Sequence, residues 1–442
     1  MDRVVRLPLV TSLAAGAPYA MPLVVRSTAV PNPGPLLSLL PNPGPLAWVR
    51  QGQGLVGWGC AARLDTGGAG RFAEAEAWWR TMVETAVVRD EVRVPGSGLV
   101  TFGSFAFADE PGASTLVVPE VAVGRRGDTW WVTTIGQGTL PGTPDLQADT
   151  PAEPPQDVVF TDGSRSGAEW EPVVADAVRR ISAGGLEKVV LARDLVAETA
   201  SEIDVRWPLQ NLAHHYPSCW TFHVDGMFGA TPEMLVRRER GLVTSRVLAG
   251  TIRPTGDDDH DLALAGSLAR SSKDLEEHEY AVRSVADALA PHCTSMNVPE
   301  TPFVLHLPNV MHLATDVTGV MHRPHDANVQ THAAPTTALT TTALGLAAAL
   351  HPSAAVGGTP TADAVALIDE VEGMDRGRYA GPVGWMDAAG DGEWGIALRC
   401  GKVEGARVRL FAGCGIVADS DPEAELAESQ AKLVPVRDAL ES

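Results

Sequence analysis

Four stretches of the chain place ionisable side chains where they could do chemistry together. In DSDPEAELAESQAKL, Ser420 or Asp421 caps a helix, Pro422 opens it, and Glu425, Glu428 and Lys432 recur at i, i+3 and i+7 on one face. Two carboxylates one turn apart can clamp a hard cation such as Mg2+, whose other positions go to water and substrate oxygens. A solvated acidic face near the positive end of a helix dipole has the same composition, and spacing alone does not separate the two. SSKDLEEHEYAVRSVADAL reads as a second capped helix, with Leu275, Val282, Val285, Ala286 and Leu289 as its apolar stripe. Glu276, Glu277 and Glu279 flank His278 there, but HExxH spacing is absent, which excludes a zincin. Glu277 could form the opposite wall of a cation site if the two helices meet; otherwise it belongs to an exposed acidic turn.

Lys188 interrupts the apolar strand LEKVVLARDLVAE. A charged lysine is costly to bury, so it either lies at an opening or has a lowered pKa, and in the second case it can act as a general base. A lysine on an exposed strand face is the competing interpretation. Glu233, in GATPEML, follows a proline between two strand-like runs. A carboxyl group in such apolar surroundings tends to stay protonated and can serve as a general acid, unless it is an ordinary turn glutamate. The runs VGG, AGP and AGCGIV could offer backbone N–H groups to anions, but none is a GxGxxG or a P-loop.

The elements that position these residues follow from periodicity. Residues 71–88 read as an amphipathic helix, and 99–107, 115–124 and 129–135 as strands. PNPGPL occurs at 31–36 and again at 41–46, which predicts turns around a short Leu-rich segment; residues 140–157 read as an exposed linker. After it come a helix ending at Gly184–Gly185, the Lys188 strand, a strand pair around 220–249 and a helix over 271–290. An Ala/Thr-rich stretch at 333–349, a helix near 361–373, strands over 380–418 and a helix from 422 complete the chain. Strands joined by short turns predict largely antiparallel sheets in an α+β arrangement.

The chain has 442 residues, with 34 Lys+Arg against 55 Asp+Glu and a net charge of −21. This excludes a phosphate-backbone partner, which requires clustered cations. No stretch reaches the ~18 uncharged apolar residues of a membrane helix. Five cysteines, none in CxxC spacing, exclude a disulfide framework and a thiolate zinc cluster. The first 20 residues carry two arginines and an apolar run like a signal peptide, but Pro8 and Gly16–Pro18 break it, so a cytoplasmic location is expected.

Taken together, LEKVVLARDL, GATPEMLVRR, LAGTIRP, SSKDLEEHEYAV, HLATDVTG, LHPSAAVGGTP, RGRYAGPVGW, GDGEWGIALRCGKV, LFAGCGIV and DPEAELAESQAKL resemble the chorismate-utilising enzymes, most closely the isochorismate synthases. The resemblance runs from about residue 170 to the end; residues 1–150 match loosely, and 151–442 are expected to form the chorismate-binding region, intertwined with them as one domain. It implies an α+β fold of two largely antiparallel sheets flanked by helices, with the site in a cleft between them. It also implies Mg2+-dependent addition of water at C2 of chorismate with loss of the C4 hydroxyl. By motif, Lys188 is the base and Glu233 the acid; Glu277 and Glu428 match the Mg2+ ligands, with Glu425 beside them. His312, Arg399, Lys432 and the backbone around Gly250, Gly413 and Gly415 match positions that hold substrate. Arginine and lysine suit a dicarboxylate.

Family comparison also sets the branch. Ammonia-using relatives carry Gln at the Lys188 position, and one branch has a lysine where this chain has Ala249, so water is the expected nucleophile and no glutaminase subunit is expected. Salicylate synthases share the lysine but tend to have threonine at the Ala355 position, which favours stopping at isochorismate; Tyr379 is shared with lyase-type relatives. A salicylate synthase and a catalytically silent chorismate-binding homologue remain the alternatives. The chain is expected to work as a monomer. It departs from the family pattern at Cys414, where Ala or Ser is usual, and at Ser429, where Thr is common.

Overall fold

The computed structural model describes residues 21–146, 150–308, 310–322 and 341–441, without the side chains of Lys273 and Glu277. The signal-like N-terminus and residues 333–340 of the Ala/Thr-rich stretch lie outside the described residues; the remainder of that stretch runs into the helix Ala343–Leu350. Among the described residues, twenty-three strands form two sheets, one of 13 strands and one of 10, flanked by eight α-helices. Every strand pairing but one among the described residues is antiparallel; Leu23–Ala29 and Val87–Asp90 run parallel. The α+β reading of two largely antiparallel sheets holds.

Local signals set the helices. Ser166 and Glu169 form a capping box at the start of Gly167–Ser182, and Gly184 and Gly185 follow its end with φ of +94° and +92°. Ser271 caps Ser272–Leu289, its side chain accepting from Asp274 N. Asp421 caps the final helix, Pro422–Glu441, by accepting from Ala424 N at 3.0 Å. Ser420 is freed from capping and donates instead to Glu425 Oε1 at 2.8 Å.

Three expected elements differ. The helix over 71–88 ends at Thr85, and Val87–Asp90 forms an edge strand, because the β-branched Val87–Val88 pair gains the Leu23–Ala29 partner. The strand expected over 115–124 is two strands, Ser114–Val118 and Val121–Arg126, broken at Pro119 where a ladder N–H is missing. The pair around 220–249 is four strands: Trp220–Val224 and Met227–Thr231 belong to the larger sheet, Met234–Glu239 and Leu242–Ile252 to the smaller.

That last division creates the seam on which the site is built. Met227–Thr231 pairs with Cys400–Glu404 in one sheet, and their continuations Met234–Glu239 and Gly392–Ile396 pair in the other. A two-stranded ribbon therefore bends from sheet to sheet, with Pro232–Glu233 at one bend and Ala397–Arg399 at the other. The bends are stitched by Ala230 N to Arg399 O (3.1 Å) and Ile396 N to Glu233 O (3.2 Å). Residues before the linker also enter both sheets: Leu46–Arg50 pairs with Trp220–Val224, and Val100–Ser104 with Pro382–Asp387.

Candidate active site

A cavity of about 180 Å³ opens at this seam. The strand Lys188–Glu198 contributes Lys188 and Val190, and its antiparallel neighbour Arg407–Ile416 contributes Gly413 and Gly415 on the same face, with Val190 opposite Gly415. The two bends supply Glu233 and Arg399. Leu242–Ile252 adds Gly250, Met311–Met321 adds His312, and the final helix adds Glu425, Glu428 and Lys432; Ala355 and Tyr379 complete the wall. All the candidate residues with described side chains thus face one space. Glu277 lies on the Ser272–Leu289 helix, and its side chain is outside the described residues. Wider depressions of about 970 and 1150 Å³ exist elsewhere, but neither unites a buried lysine with a buried carboxyl.

Glu233 is 5% exposed, and burial pushes its pKa up to about 7 against the opposing pull of Lys188 and Arg399. At neutral pH it is poised between acid and base, the range in which a general acid is most effective. Lys188, 8% exposed, is held in the same wall. His312 is driven down to about 3, by burial first and then by Arg399, so it is neutral. Its tautomer follows from its partners: Arg399 Nη2 lies 3.4 Å from Nε2 and has only hydrogens to give, so the proton is on Nδ1. That N–H points at Gly250 O (3.2 Å) and Thr251 Oγ1 (3.1 Å). His312 therefore fixes Arg399 on one side and the Gly250 bulge on the other.

The backbone here is unusually constrained. Arg399 (φ +48°) and Ala380 (φ +61°) are non-glycine residues in the left-handed region, and both line the cavity. Gly250 (φ +73°) forms a β-bulge, and any Cβ there would come within 3.1 Å of Asp274. At Gly413 a Cβ would approach the Tyr379 hydroxyl to 2.9 Å; the tyrosine ring is itself stacked on Phe411 at 5.1 Å. In the wall, Arg376 forms a buried ion pair with Glu372, which lies behind it. Arg376 also donates to Val190 O and Val356 O, and Glu372 accepts from Ala192 N at 2.7 Å, which ties the Lys188 strand to the Ala355 loop.

On the final helix, Lys432 Nζ lies 2.6 Å from Glu428 Oε1 and 3.0 Å from Gly413 O. Burial acts against both charges, but each outweighs it for the other: Lys432 is held above the ordinary lysine value, Glu428 below the ordinary glutamate value. Glu425 and Glu428 carboxylate oxygens lie within 4.8 Å of each other, and the Glu428 side chain keeps 28% of its surface accessible. Two converging oxygens with access to water fit a hard divalent cation.

Three polar groups in the wall were not chosen from the sequence: Thr251, Asp274 and Arg376. Asp274 stands in the quoted SSKDLEEH run and Arg376 in RGRYAGP, but nothing in their spacing pointed inward.

Residues 48–441 match the family model described as chorismate binding enzyme. The chain is 39% identical over 276 residues to the isochorismate synthase DhbC of Bacillus subtilis, covering 60% of this chain and 66% of that protein. It is 32% identical over 420 residues to the salicylate biosynthesis isochorismate synthase of Pseudomonas aeruginosa, covering 89% and 84%. Among solved structures it resembles a putative 2,3-dihydroxybenzoate-specific isochorismate synthase of Bacillus anthracis, with TM-score 0.72, 30% identity and coverage of 90% and 96%. The match spans nearly the whole described fold, including both bends and the final helix, and the chain belongs to the chorismate binding enzyme family.

Proposed function

We propose that this chain is an isochorismate synthase: it adds water at C2 of chorismate and expels the C4 hydroxyl. Lys188 takes a proton from the attacking water, and Glu233 delivers one to the departing hydroxyl oxygen. Arg399, oriented by neutral His312, and Lys432 pair with the substrate carboxylates, and the N–H-bearing backbone around Gly250, Gly413 and Gly415 borders the ring. Glu425 and Glu428, with Glu277, would hold Mg2+, which supplies positive charge for a substrate carboxylate. The reading rests above all on one observation: a buried lysine and a buried carboxyl group, the latter with a pKa of about 7, wall the same cavity. Water needs a base to become a nucleophile whereas ammonia does not, so the lysine favours hydration, with no glutaminase subunit. The small Ala355 side chain in the wall supports release of isochorismate without elimination. A cytoplasmic role in menaquinone or siderophore synthesis fits this chemistry.

The test is to incubate the purified protein with chorismate and Mg2+, with an EDTA control, and resolve the products by chromatography. Isochorismate without pyruvate is expected. Salicylate plus pyruvate would move the chain to the lyase branch, and no Mg2+-dependent product would overturn the reading.

A further inference from the structure

Lys188 borders two spaces. It lines the 180 Å³ cavity of the candidate site, and together with Val417 it also lines a depression of about 330 Å³. Exposed residues, among them Glu187, Glu276 and Ala418, form the rim of that depression, so it is open to solvent. The backbone holds Lys188 in the partition between the two. Thr359 pairs with Lys188 across neighbouring strands, Glu187 N donates to Thr359 O at 2.8 Å, and Val190 N donates to Gly357 O at 2.8 Å. Gly358 (φ +140°) permits this close approach, since a Cβ there would run into the Lys188 carbonyl.

The lining suits water and disfavours the substrate. Glu187, Glu276, Tyr280, Thr359 and Asp419 all present polar groups, and an ordered water needs only about 2–4 such partners. Three of the five are carboxylates, whose field repels a dianion and leaves water unaffected. A seated ligand has roughly 70–90% of its surface buried by its pocket. Chorismate held by Arg399 and Lys432 therefore closes the inner cavity, and water bound for Lys188 has to arrive from the other side of the partition. We propose that the depression beyond Lys188 is the entry route of the attacking water, separate from the path of the dianionic substrate. This deepens the proposed function and rests on it.

The test narrows the depression from two walls in the full chain: Ala418→Trp on the loop ahead of the final helix and, separately, Glu276→Trp on the helix Ser272–Leu289. Both positions are exposed, so neither change disturbs the core. In the product assay at saturating Mg2+, kcat is expected to fall at least about tenfold while KM for chorismate stays within about twofold. A raised KM with kcat kept would identify the depression as the substrate's own mouth and overturn the proposal, as would an unchanged kcat in both variants. A second readout needs no turnover: methylation of lysines by formaldehyde, a small neutral reagent, with a borane reductant and without chorismate or Mg2+, followed by peptide mass spectrometry. Lys188 should be methylated in the parent and at least about tenfold more slowly in each variant, with the exposed Lys402 equal in all three. Labelling of Lys188 at the parent rate in both variants overturns the route. A parent that makes no isochorismate removes the functional reading instead, and the labelling still shows whether the depression leads to Lys188.

Discussion

Glu233→Gln separates the buried acid from its surroundings with little change of shape. Burial raises the Glu233 pKa from 4.5 to about 7. Because the folded-state value lies above the unfolded one, the group's contribution to stability is fully present below pH 4.5 and is lost as pH rises through 7. At 1.36 kcal/mol per pKa unit, the whole loss is about 3 kcal/mol, of which roughly 2.5 kcal/mol falls between pH 5 and pH 8. Glutamine has no charge to bury, so the variant escapes this loss. Over 442 residues, at about 2.1 cal/mol/K per residue, the difference amounts to about 3 °C in Tm. Thermal unfolding of both proteins at pH 5, 6, 7 and 8 is the assay, and the variant's Tm relative to the parent should climb steadily with pH. A difference that stays flat, or one that opens toward acid, refutes the claim that a neutral carboxyl is buried at the seam. The same substitution removes the proton donor, so kcat should fall by about 10²–10⁴-fold even where the variant is the more stable protein.

Other perturbations probe the rest of the wall. Lys432→Met leaves the half-buried Glu428 without its cation, so its pKa moves up and the variant's stability deficit should widen as pH rises above 4.5; Tm measured from pH 4 to 7 checks the sign. Gly413→Ala places a methyl 2.9 Å from the Tyr379 hydroxyl, and the expected result is a raised KM for chorismate with the fold retained, read by kinetics beside circular dichroism. Glu372→Gln leaves Arg376 without its carboxylate in the core, where breaking a buried pair costs about 3–5 kcal/mol, and a Tm lowered by about 3–5 °C should appear in calorimetry.

Much of this protein is written in short stretches of its chain. Ser166–Glu169, Ser271 and Asp421 announce helix starts because a cap is satisfied within three residues, and Glu425, Glu428 and Lys432 share a face because a helix repeats every 3.6 residues. Lys188 and Glu233 stood out because a charge in an apolar run has a cost that the residue type alone reveals. Tertiary structure decided the rest. The assignment of four strands within 220–252 to two different sheets depends on partners more than 150 residues away, Cys400–Glu404 and Gly392–Ile396. Val87 and Val88 became a strand because Leu23–Ala29 offered an edge. Asp274, Thr251 and Arg376 entered the cavity wall through the Gly250 bulge and the Glu372 ion pair, neither of which leaves a periodic trace. The neutral state of His312 and the near-neutral pKa of Glu233 likewise belong to the assembled seam, since burial and the field of Arg399 exist only once both bends are in place.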